Sequence, residues 1–113
     1  MKSEAVSDSE LAETASAFAA LGSEQRLSVL RTLVRAGPDG LSIGELGDRT
    51  GVSGSTLTHH MKILLQAGLV AQSKQGRQII CVGAAYDRVK SLSNYLLEEC
   101  CADVGVTDPE LGT

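Results

Sequence analysis

The stretch that most restricts the fold runs from Leu41 to Val70 and reads LSIGELGDRTGVSGSTLTHHMKILLQAGLV. Ser42 stands three residues before Glu45, the spacing of a capping box, in which a hydroxyl and a carboxylate each satisfy a backbone N–H at a helix start. A short helix opening there carries Ile43 and Leu46 on its inner face. Gly51 then supplies a turn, Val52 an apolar anchor, and Ser53 an N-cap for a second helix. In that helix Leu57, Met61, Leu64 and Leu65 fall at i, i+4, i+7 and i+8, an apolar stripe that closes at Gly68. Two short helices joined by a tight glycine-containing turn read as a helix-turn-helix.

The flanking segments add helices on both sides. From Glu10 to Leu21, Leu11, Ala12, Ala15, Phe18 and Ala19 keep helical spacing up to Gly22. Ser23 caps a second helix whose Leu27, Leu30 and Val34 share a face, and AGPDG at residues 36–40 stops it. After the helix-turn-helix, LVAQSK and RQIICV are strand-like runs joined at Gln75-Gly76, which suits a tight β-hairpin with glycine at its second turn position. Tyr86 to Cys101 then sets Val89, Leu92, Leu96 and Cys100 on one stripe of a last amphipathic helix. The fold class is mainly α with a small β-hairpin (α+β). Residues 10–104 are expected to form the folded domain, between a flexible N-terminus (residues 1–9) and a flexible C-terminal tail (residues 105–113).

A chain of 113 residues is one domain; 42% apolar residues support a core, and 3% aromatics make it an aliphatic one that a second copy could complete. No apolar run reaches the roughly 20 residues of a bilayer span, and the acidic start MKSEAVSDSELAETA lacks the apolar stretch of a secretory signal. The expected setting is cytoplasmic, with no membrane partner. Three cysteines, an odd number, argue there against a disulfide framework and for thiol chemistry or burial.

The net charge of −4 argues against nucleic acid, but its distribution argues the other way. All 14 acidic residues lie at or before Asp48 or at or after Asp87. The 38 residues from Arg49 to Tyr86 hold no acid and carry Arg49, Lys62, Lys74 and Arg77. A patch of one sign is the footprint of a phosphate-binding surface; the plainer alternative is chance clustering on a solvated face.

The second helix of a helix-turn-helix usually enters the DNA major groove, its N-terminal turns facing base edges. Its exposed positions here are Ser53, Ser55, Thr56, Thr58, His59 and Lys62, which can donate to phosphates or base edges. Lys74 and Arg77 at the hairpin tip are placed to reach flanking phosphates or the minor groove. His59 and His60 point about 100° apart on a helix and have no third histidine, so zinc ligation lacks its usual spacing. His59 is assigned to the DNA side and His60 to internal packing or hydrogen bonding. No catalytic triad, metal-hydrolase spacing or phosphate loop is present, so the chain is not read as an enzyme.

The runs ALGSEQRLSVLRTL and LSIGELGDRTGVSGSTLTHHMKILLQAGLVAQSKQGRQI resemble the ArsR/SmtB family of winged-helix repressors, from about Phe18 to Leu97. The resemblance implies a winged helix-turn-helix and a homodimer built on the first and last helices. It implies binding to a double-stranded DNA operator with an imperfect inverted repeat, and release by an inducer. Arsenic sensors of the family carry Cys-Val-Cys where Ser42-Ile43-Gly44 stands here, so that site is absent. The family's Asp/His zinc site falls on Ala85, Asp87, Glu98 and Cys101, without a histidine. A variant group of arsenic sensors places a vicinal cysteine pair at the end of the last helix, and Cys100-Cys101 in LEECCAD is similar to that arrangement.

Several readings of the pair compete. Cys100 continues the apolar stripe, but Cys101 lies roughly 100° round the helix. A vicinal disulfide requires a strained eight-membered ring incompatible with regular helix. A redox sensor needs a thiolate near positive charge, whereas Glu98, Glu99, Asp103 and the negative end of a helix dipole surround this pair. Trivalent arsenic or antimony bonds covalently to sulfur and displaces the proton. A methylated As(III) needs only two sulfurs, so methylarsenite is favoured. Arsenite or antimonite would call on Cys81, the other protomer or a non-sulfur ligand. The expectation is a repressor with no permanent cofactor, released by a trivalent arsenical at Cys100 and Cys101. The alternatives are a thiol redox or persulfide-sensing repressor of the same fold, or a protein-interaction module that does not touch DNA.

Overall fold

A computed structural model describes residues 2–84 and 86–104 of the chain. The elements are α1 (Lys2–Ala20), α2 (Glu24–Ala36), β1 (Leu41–Ser42), α3 (Ile43–Thr50), α4 (Gly54–Gln66), β2 (Val70–Gln75), β3 (Gln78–Gly83) and α5 (Tyr86–Leu97). A single 3₁₀ turn follows at Ala102–Val104. This is the winged helix-turn-helix order expected, helices with a small sheet. Residues 105–113, assigned to a flexible tail, lie outside the described residues, as does Ala85. Among the described residues no helix is long and apolar enough to cross a membrane.

The sheet gains a strand that sequence reading passes over. Leu41 and Ser42 are too short a run to carry alternation, yet they pair antiparallel with Cys81 and Ile80 of β3. The sheet order β1-β3-β2 makes β3 central and sinks Cys81 to 0% exposure. β2 and β3 run in register from Val70↔Gly83 to Gln75↔Gln78. The loop is therefore Gly76-Arg77, with glycine at its first central position rather than its second. Gly76 takes φ +63° and Arg77 does not share a positive φ, the pattern of a II′ turn, which suits the strand twist.

The core runs between the helices and the inner face of the sheet: Leu33, Leu41, Leu46, Leu57, Met61, Leu64 and Leu69 are all buried. On three helices the buried face differs from the expected one. α1 starts at Lys2 rather than Glu10, because residues 2–9 contain no Gly or Pro to interrupt it. It buries Thr14, Ala17 and Ala20 and leaves Leu11 and Phe18 outside, since small side chains allow α1 to pack closely on α4 and α5. α2 buries Val29, Leu30 and Leu33, and Leu27 and Val34 are exposed. On α4 the stripe holds except at Leu65, which is exposed.

The largest correction is at the C-terminus. α5 ends at Leu97, so Cys100 and Cys101 stand in a turn beyond the helix, not on it. Backbone bonds there run three residues apart, from Cys100 N–H to the Leu97 carbonyl (2.9 Å) and from Ala102 N–H to the Glu99 carbonyl (3.1 Å). Leu96 and Leu97 find no cover in the protomer, and Glu98 and Glu99 oppose the negative end of the helix dipole. Neither packing nor electrostatics extends the helix further.

Candidate nucleic-acid interface and thiol turn

The helix-turn-helix is assembled by local bonds. At α3 the capping box closes: Glu45 N–H donates to Ser42 Oγ (3.1 Å) and Ser42 N–H donates to Glu45 Oε1 (2.9 Å). Gly51 ends the helix in the left-handed region at φ +73°, ψ 14°, where a side chain would be strained. Val52, 6% exposed, then anchors the turn in the core before α4 begins.

Ser53 occupies the N-cap of α4, but its hydroxyl bonds no backbone N–H. It donates instead to Thr56 Oγ1 at 3.2 Å. The first N–H groups of α4 are thus left without a side-chain partner from their own cap, which favours an anion at this end. Thr58 Oγ1 is committed to the Gly54 carbonyl at 2.9 Å. Ser53, Ser55, Thr56, Thr58, His59 and Lys62 are all exposed. Lys74 and Arg77 project from the exposed end of the hairpin. Exposed Arg49 closes α3 and extends the same acid-free stretch, a position the charge distribution flagged without assigning it a role.

His60 is on the opposite side of α4, 8% exposed, with Nε2 2.8 Å from Gln25 Oε1. This agrees with the internal role expected for it. Its partners on α2 had no signal in the sequence, because they lie 35 and 34 positions away.

In the turn after α5 the two thiols are adjacent in space as well as in sequence. Cys100 Sγ and Cys101 Sγ are 3.2 Å apart, Cys100 exposed and Cys101 partly so. Cys101 has a left-handed backbone, φ +65°, uncommon for a residue with a Cβ. Its thiol is held above the ordinary cysteine pKa, first by the hydrogen bond with Cys100, then by the charge of that neighbour and by burial. Cys81 is elsewhere: it is buried on β3 with Gln72 Nε2 at 3.8 Å from its sulfur, and burial pushes its pKa up. Among the described residues no three His, Cys, Asp or Glu side chains converge as metal ligands, so Cys81 does not join the pair within one protomer.

The end of α4 is tied to the start of α5. Arg88 Nη2 donates to the Ala67 carbonyl at 3.3 Å, across the C-cap of α4. The helix that precedes the thiol turn is therefore bonded directly to the helix that presents the polar surface.

Comparison with known proteins agrees with this architecture. A family model described as a helix-turn-helix domain matches residues 21–73. The uncharacterized HTH-type transcriptional regulator YceK of Bacillus subtilis (strain 168) is 42% identical over 60 residues, 53% of this chain and 59% of that protein. The HTH-type transcriptional regulator NmtR of Mycobacterium tuberculosis is 35% identical over 69 residues, 61% of this chain and 55% of that protein. The matched stretch thus spans between half and two thirds of these two curated relatives. Among solved structures, an ArsR-like transcriptional regulator from Rhodococcus sp. RHA1 superposes with a TM-score of 0.70 at 31% identity, over 86% of this chain and 87% of that one.

Proposed function

The chain belongs to the ArsR family of winged helix-turn-helix transcriptional regulators, and on that premise we propose that it is a homodimeric, operator-binding repressor released by a trivalent arsenical captured between Cys100 and Cys101. The observation that carries the inducer reading is the thiol turn: two accessible sulfurs 3.2 Å apart, outside the helix and free of its backbone constraint. Methylarsenite condenses with such a pair without oxidation or reduction. Each thiol proton leaves with one arsenic-bound hydroxyl, two waters form, and two As–S bonds replace two As–O bonds. The third substituent is already the methyl group, which matches a pair that no third sulfur joins in the protomer. Arsenite or antimonite would require a further ligand and is expected to act more weakly.

The DNA-binding reading rests on the exposed polar face and open N-terminus of α4, with Lys74 and Arg77 on the hairpin. The dimer reading rests on Leu11 and Phe18 of α1 and Leu96 and Leu97 of α5, large apolar side chains that the protomer leaves uncovered. Arsenic bound beyond Leu97 would act on the α5 interface, and Arg88 links that helix to α4. Coupling of this kind is typically about 1–3 kcal/mol, roughly 5- to 150-fold in affinity.

The test uses a fluorescein-labelled duplex selected from a random pool by the wild-type protein. Methylarsenite should release it at lower concentration than arsenite or antimonite, and Cys100→Ser and Cys101→Ser should bind it normally and ignore all three. Normal release of either variant would remove the site, and release by a thiol oxidant alone would favour redox sensing.

A further inference from the structure

His60 lies on the inner side of α4 beside Leu57, Met61 and Leu64, a titratable ring among apolar side chains. Both of its nitrogens are engaged. Nε2 is 2.8 Å from Gln25 Oε1, and Nδ1 is 3.5 Å from Arg26 Nη1. A guanidinium has only donors, so Nδ1 is the lone-pair side and the ring proton sits on Nε2, where the amide oxygen accepts it. Arg26 is itself anchored, its Nε donating to the carbonyl of Ala20, the last residue of α1, at 2.6 Å. A neutral imidazole thus joins the middle of α4 to the first turn of α2 and, through Arg26, to the end of α1.

We propose that His60 is a positioning residue for the recognition helix α4: its neutral ring keys that helix to α1 and α2, and its protonation undoes the key, so that DNA binding is lost reversibly in acid. The proposal rests on the DNA-binding reading above and adds a second input, separate from the thiol turn. A proton at Nδ1 removes the lone pair that faces Arg26 and leaves two cations 3.5 Å apart. Relief requires Arg26 to leave Ala20 or α4 to move.

Among the described residues no carboxylate bonds the ring to offset this. Burial, then the Arg26 charge, then His59 push its pKa below the ordinary imidazole value. Among the described residues, the other ionisable groups of the packed elements are Asp8, Glu10 and Glu13 on α1, Glu24, Arg31 and Arg35 on α2, Glu45, Asp48 and Arg49 on α3, and Lys74 on β2, and none of them bonds the ring. The folded pKa is below the unfolded one, about 6.5. The docked arrangement is therefore fully favoured above that value and loses stability as pH falls from it toward the folded pKa.

The experiment follows the His60 ring and the α4 backbone amides by NMR without DNA, and duplex anisotropy with DNA, from neutral pH down through the imidazole range. In the wild type the three should share one midpoint, and affinity should then fall about tenfold per pH unit below it, the slope of one proton. Gln25→Glu, at an exposed position, sets a carboxylate against Nε2–H; it should move the ring midpoint toward neutral pH and, by holding the protonated ring in the docked arrangement, shrink the acid loss of duplex binding. His60→Gln keeps a donor toward Gln25 and should abolish the acid loss, whereas His59→Gln should retain it. An acid loss that persists in His60→Gln, a ring midpoint unmoved in Gln25→Glu, or α4 amides indifferent to the ring would each overturn the proposal. Should His60→Gln not fold, Gln25→Glu decides. A wild type that selects no duplex at neutral pH defeats the DNA reading instead, and the amide shifts still decide whether the ring positions α4.

Discussion

Both helices of the helix-turn-helix begin at a serine in extended backbone, Ser42 at φ −65°, ψ 159° and Ser53 at φ −68°, ψ 158°. At α3 the third helical residue is Glu45, and hydroxyl and carboxylate close the box on both backbone N–H groups. At α4 the equivalent residue is Thr56, which takes the Ser53 hydroxyl for itself. The same backbone geometry starts both helices; one side chain three residues on decides whether the end is sealed for stability or left for an anion. The sealed end belongs to the supporting helix and the open one to the helix with the exposed polar face.

The strongest way to break this pairing is to remove what holds the helices together. Leu57→Ala, at a side chain 1% exposed, should cost about 2–5 kcal/mol in urea denaturation and disturb both helices at once. Lys62→Ala with Arg77→Ala tests the open side alone. Fold stability should hold, while the slope of log affinity against log salt should shrink by about 1.8, about 0.9 for each phosphate that is no longer neutralised. An unchanged slope would mean that neither residue meets DNA.

The serines themselves sharpen the contrast. Ser42→Ala should lower stability by about 1 kcal/mol and leave duplex affinity alone, whereas Ser53→Ala should change stability by less than about 0.5 kcal/mol. Equal losses in thermal melts would show that the two caps are not different after all. The smallest effect is electrostatic. The Ser42 backbone N–H, then its hydroxyl and more weakly Arg49, hold the Glu45 carboxyl below the usual carboxylate pKa. Its contribution is complete above the unfolded value and is lost as pH falls through the folded one. The melting-temperature gap between wild type and Glu45→Gln should therefore narrow toward acid.

Sequence reading went furthest where bonds are local. The caps, the Gly51 turn, the Leu57-Met61-Leu64 stripe and the hairpin follow from spacings of a few residues. It went wrong where a helix offers two apolar faces. On α1 the larger side chains, Leu11 and Phe18, marked the expected core face, yet the small face of Ala17 and Ala20 is buried because it lets neighbours approach. On α5 the stripe through Leu96 predicted a helix reaching Cys101, but Leu92 is its buried anchor and Leu96 has no partner in the protomer. For the candidate site, the exposed polar residues of α4 were legible from the helix period. The thiol turn was legible as a pair of residues but not as a conformation.

By itself, then, the sequence determined the helix-turn-helix, the serine at each of its helix starts and the charge that marks its acid-free stretch, because those depend on residue spacings and periodicities within a few residues. The tertiary structure alone decided that α5 stops at Leu97, that the cysteines meet at 3.2 Å in a turn, and that His60 finds Gln25 and Arg26. Those outcomes depend on which surfaces cover one another, and helical periodicity identifies a face without saying what will lie against it.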